Sequence, residues 1–77
     1  MIFTVALMCR GPHQEECQGE HEIRVLDPDG AICLPDRPWM YANCVLERQI
    51  NAISPQQAAE KFATWQATGL SESFLRE

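Results

Sequence analysis

The chain has 77 residues with a formal net charge of −5, from six Lys/Arg against eleven Asp/Glu. A chain this short makes one domain over residues 1–77 with a small core, which a cross-link, a metal or oligomerisation would reinforce. Arg10, Arg24, Arg37, Arg48, Lys61 and Arg76 are scattered singly, so no basic face exists to displace counterions from a phosphate backbone, and direct nucleic-acid binding is not expected. No apolar run approaches the roughly 20 residues a membrane-spanning helix needs.

Residues 2–8, IFTVALM, form an apolar run rich in β-branched and aromatic side chains, closed by Gly11-Pro12, and read as a buried strand. The opening MIFTVALMC lacks the basic n-region of a secretion signal, and the expected location is the cytoplasm. Residues 10–21 combine glycine, proline and charge, and read as a loop. This loop leads into the single charge run of the chain, Glu15, Glu16, Glu20 and Glu22. The run reads either as a solvated segment or as a patch for a basic protein surface. Two short strand-like runs, 22–26 and 31–34, flank Asp27-Pro28-Asp29-Gly30. Pro28 presets φ, Asp27 can bond back to the backbone and Gly30 accepts a positive φ, so the stretch is a β-hairpin with a four-residue loop. The same tetrapeptide lacks the spaced carboxylates and distal glutamate of a calcium loop.

Pro35-Asp36-Arg37-Pro38 breaks the chain again. Beyond it, residues 39–52 fit a strand over roughly 43–53, with Met40, Ala42, Cys44, Leu46, Ile50 and Ala52 on one face and Arg48 interrupting. A helix starting after Asp36 is the alternative. Helix signals are then explicit: Ser54 as N-cap, Pro55 at the first position, Gln57 completing a capping box, and Gly69 as the left-handed C-cap. On a helix over 54–68, Ala58, Ala59, Phe62, Ala63 and Trp65 share one arc. Gln56, Gln57, Glu60, Lys61 and Thr64 form the solvated side, and Leu70 is expected to fold back onto Trp65. Ser71 can cap a short terminal helix with Phe74 and Leu75, which either docks on the core or offers a tail to a partner. The fold expected is a small α+β domain: an antiparallel sheet of three or four strands, one amphipathic helix across it, and a short C-terminal helix.

The residues that suggest site chemistry are Cys9, Cys17, Cys33 and Cys44 with His13 and His21. Cys9, His13, Cys17 and His21 recur every four residues, and a loop could wrap them around a structural zinc ion. The close cysteine pairs of zinc knuckles are absent, however, and small buried thiols are the plainer reading. Four cysteines allow three disulfide pairings, which a cytoplasmic setting disfavours. Cys9 and His13 could be drawn as nucleophile and base, but neither an orienting group nor an oxyanion donor can be named, so no enzyme is expected. Phosphate-cradling and C-x-x-C redox motifs are also absent. By elimination, the chain reads as a small acidic adaptor, regulator or inhibitor that contacts another protein, one with a basic surface, such as a nucleic-acid-handling protein. The candidate contact residues are Glu15, Glu16, Glu20, Glu22, Trp39, Tyr41 and Phe74, and homodimerisation through a strand edge or the tail is compatible. A zinc-stabilised module is the alternative, and a thiol-based redox protein a third reading.

Overall fold

A computed structural model describes residues 1–9, 21–39, 41 and 43–77. The elements are β1 (Ile2–Cys9), β2 (His21–Leu26), β3 (Ile32–Leu34), β4 (Asn43–Asn51) and α1 (Pro55–Thr68), followed by a 3-10 turn over Glu72–Arg76. The strands form one antiparallel sheet in the order β3-β2-β1-β4, so β1 is central and its long apolar run is paired on both sides. The small α+β fold expected from the sequence is what forms.

Alternation along β1 sorts the side chains between the two faces. Phe3 and Val5 enter a core with Val25, Ile50, Ala52, Ala58, Phe62 and Leu75, and Leu7, Ile23, Leu46 and Trp65 pack around it. The helix covers this face. Its start follows the capping logic: Ser54 Oγ accepts from the Gln57 amide at 3.1 Å. The return bond from the Gln57 side chain reaches the Ile53 amide at 2.8 Å, one residue before the cap, where a Ser54 partner was expected. At the other end Gly69 has φ 69°, and its amide donates to Trp65 O at 3.0 Å. Ala58 and Phe62 are buried and Ala59 and Trp65 half-buried, but Ala63 is exposed and so falls outside the buried arc expected for it. Lys61 also departs from the expected solvated side. Its Nζ donates to Asn51 O at 2.9 Å and Glu77 O at 2.8 Å, tying the helix to the end of β4 and the chain terminus.

The hairpin is built as the turn chemistry dictates. Asp27 Oδ1 accepts from the amides of Asp29 and Ala31 at 2.9 and 2.8 Å, and Gly30 takes φ +88°. Of the stretch 39–52, residues 43–51 form the strand β4, close to the 43–53 expected. Its facing differs from a simple alternation, because the partner of β1 steps from Leu46 opposite Leu7 to Cys44 opposite Met8. Val45 is therefore the extra residue of a β-bulge, and the bulge inverts parity. Leu46 and Ile50 point to the core while Cys44 lies on the opposite face, not with them as a regular strand requires. Arg48 sits opposite Val5 on the helix side, where its guanidinium lies 5.5 Å from the Trp65 ring and its Nε 2.6 Å from Glu72 Oε1. The terminal 3-10 turn docks through Leu75, which is 1 % exposed, with Phe74 half-buried against the same core. Met40, Ala42 and residues 10–20, where a loop over 10–21 was expected, lie outside the described residues, and His21 is the first residue of β2.

Candidate functional site

Among the described residues, no element covers the sheet face opposite α1. Three rows of Cα partners cross it: Glu22–Met8–Cys44, Arg24–Ala6–Glu47 and Leu26–Thr4–Gln49. The middle row sets a methyl group on the central strand between two long side chains. The result is a hollow of about 190 Å³ lined by Thr4, Ala6, Met8, Arg24, Leu26, Trp39, Cys44 and Glu47.

A buried ionic cluster frames one side. Glu22 is 5 % exposed. Arg24 Nε donates to Glu22 Oε2 at 3.2 Å, and Arg37 Nη1 approaches Oε1 at 2.9 Å without hydrogen-bonding geometry. The Arg24 side chain is itself 11 % exposed, whereas that of Arg37 is 49 % exposed. Trp39 lies on top, its ring centroid 3.8 Å from the Arg24 guanidinium carbon. A desolvated guanidinium held over an indole by a buried carboxylate is a strong version of a cation–π contact. The Trp39 Nε1 is buried and has no acceptor, which offsets part of that gain, since an unsatisfied buried donor costs about 1–3 kcal/mol.

The sequence-derived candidates separate on this frame. Glu22 is not part of a solvated acidic run: as the second residue of β2 it points inward to a position opposite Met8, and its charge is met by two arginines. Glu15, Glu16 and Glu20 lie outside the described residues. Trp39 lines the hollow, Tyr41 is half-buried, and Phe74 packs on the core at the other side of the molecule. Of the four candidate zinc ligands, His13 and Cys17 are outside the described residues, and His21 is exposed opposite Cys9. Cys9 is disulfide-bonded, contrary to the preference for free thiols, and in that form it presents no thiolate to a metal. Cys33 and Cys44 are not disulfide-bonded. Among the described residues no three His, Cys, Asp or Glu side chains come together to hold a metal ion.

Arg24, Arg37, Ala6, Met8 and Glu47 do not stand out in the sequence as site residues, and Cys44 does so only as a candidate thiol. The alternation in Glu22-Ile23-Arg24-Val25-Leu26 carries a signal for one of them, because it places Arg24 on the same strand face as Glu22. No helix among the described residues is long and apolar enough to cross a membrane. No protein-family model matches the chain, and neither the curated proteins nor the solved structures yield a match.

Proposed function

We propose that this is a non-enzymatic binding protein, an adaptor, regulator or inhibitor, that contacts a basic protein through the sheet face opposite α1. The observation that carries the reading is the hollow over Ala6, walled by a tryptophan fixed on a buried Arg–Glu pair and left uncovered by the described elements. Aromatic and methionine side chains at such a place are what interfaces favour, and a preformed wall lowers the ordering cost of association. The net charge of −5 supports a basic partner over nucleic acid or an acidic protein. Glu15, Glu16 and Glu20 belong to the same proposal as charges that steer the encounter. The Cys9 disulfide bears on the setting, because a reducing cytoplasm removes such cross-links unless they are protected.

The test is affinity capture from extract of the native host, quantified by mass spectrometry, with the wild type beside Ala6→Glu, Glu47→Lys and the helix-surface control Glu60→Ala. Proteins captured by the wild type and by Glu60→Ala should be lost with the two sheet-face variants, and the capture should weaken as salt rises. Identical capture by all four proteins removes the reading.

A further inference from the structure

We infer that the hollow over Ala6 receives one large apolar side chain of a partner segment that also carries a lysine or arginine, and that Glu47 pairs with this base. The inference rests on the protein-binding reading above and names the chemistry of its contact. Size and lining speak for the apolar anchor. Ala6, Met8, Leu26 and the Trp39 ring supply most of the wall, and about 190 Å³ accepts a side chain rather than a cofactor-sized molecule. The charge inventory speaks for the base. Glu22 is compensated by Arg24 and Arg37; Arg24 is further committed to the Trp39 ring, and Arg37, half-exposed, does not line the hollow. Glu47 is exposed at the edge of the hollow, directly across Ala6 from Arg24, and no ion pair engages its carboxylate among the described residues. Among the described residues that line the hollow, the uncommitted charge is therefore negative. Among the described lining residues an acidic or phosphorylated segment would meet a carboxylate and no uncommitted cation, whereas a base finds both a counter-charge and, beside it, an apolar seat.

Short peptides serve as probes because they isolate the contact from the rest of a partner. Nitrogen-15-labelled full-length protein is titrated with acetyl-Lys-Phe-Lys-amide, acetyl-Lys-Ala-Lys-amide and acetyl-Glu-Phe-Glu-amide, while the Trp39 indole and the amides of Ala6, Met8 and Arg24 are followed. The expected result is weak, saturable shifts at these groups with Lys-Phe-Lys only. Glu47→Gln should weaken that binding by a few-fold, the size of a rim ion pair. Ala6→Leu, which fills the hollow, should abolish saturation; Ala6→Val substitutes if the leucine variant does not fold, with the Phe62 amide shift reporting an intact core. Absence of a saturable response to Lys-Phe-Lys, equal binding of Glu-Phe-Glu, or unaltered binding by the filled variant overturns the inference. So does a wild-type dimer by light scattering that Ala6→Leu disperses, because the occupant would then be a second copy. Capture that still depends on Ala6 and Glu47 while Lys-Phe-Lys fails would leave the protein-binding reading standing and remove only the anchor-and-base chemistry.

Discussion

Two Arg–Trp–Glu groupings occur on opposite faces of the sheet, and they differ in burial, which makes them a matched test of what burial does to an ion pair. In the first, the side chains of Arg24 and Glu22 are 11 % and 2 % exposed; in the second, those of Arg48 and Glu72 are 35 % and 58 % exposed. Glu22→Gln keeps the shape and an acceptor for Arg24 Nε, but leaves a buried guanidinium without its counter-charge. Breaking a buried pair by removing one partner costs about 3–5 kcal/mol. The lower end applies here, about 3 kcal/mol, because Arg24 keeps the Trp39 ring and Arg37, half-exposed, can turn to water. For a domain of this size that is roughly 12–24 °C of melting temperature. Glu72→Gln should cost at most about 1 kcal/mol, since a pair that solvent reaches on both sides contributes little. Urea unfolding of both variants measures the difference, and a double-mutant cycle of Glu22→Gln with Arg24→Met isolates the coupling. A cost below about 1 kcal/mol for Glu22→Gln, similar to that of Glu72→Gln, would mean that Glu22 is a solvated acid and that the frame of the hollow is wrong.

Four further outcomes follow from the same packing. Phe62→Ala empties a fully buried site under α1 and should cost about 3–5 kcal/mol, a large share of what a small domain has, read by urea titration. Ser54→Ala removes the acceptor for the Gln57 amide and should cost about 1 kcal/mol in the same assay. Gly69→Ala should cost about 1 kcal/mol from its positive φ alone, because an added Cβ meets nothing within 4 Å; a larger loss of helicity by circular dichroism would point to a clash the geometry does not contain. Reductant should lower the melting temperature of the wild type by an amount corresponding to about 2–4 kcal/mol, and Cys9→Ala should remove that sensitivity.

The elements were legible because their signals are local. IFTVALM, the DPDG turn and the Ser54/Gln57/Gly69 punctuation each fix a strand, a turn or a helix within a few residues. The site was not, because it exists only across strands. Nothing near Ala6 in the chain says that Arg24 and Glu47 stand on either side of it; that follows from the register of β2 and β4 on β1. Glu22 misleads a reader of the sequence for the same reason: beside Glu15, Glu16 and Glu20 it looks like the end of an acidic run, and only strand pairing turns it inward. The bulge at Val45 was equally invisible, so strict alternation grouped Cys44 with Leu46 and Ile50 although it lies across the sheet from them. A helical wheel puts Lys61 on the solvated side, because a wheel does not show that Glu77 O returns to accept from its Nζ.

These misreadings share a cause that also bears on function. A sheet with one 14-residue helix on it has a second face that must be finished by other means. Here the described part of that face is finished with a buried ion pair and a stacked tryptophan rather than with a second layer of apolar side chains. Such a cluster sets Trp39 beside the sheet while the described elements leave Ala6 only half-buried, where an apolar layer would have buried it fully. If stability were the whole requirement, well-packed apolar residues in place of Glu22 and Arg24 would do at least as well. The cluster costs desolvation and an orphaned indole donor, and what it yields is a rigid wall around an open hollow. That asymmetry is the physical ground for proposing the working surface on the face that α1 does not cover and for proposing α1 as scaffold.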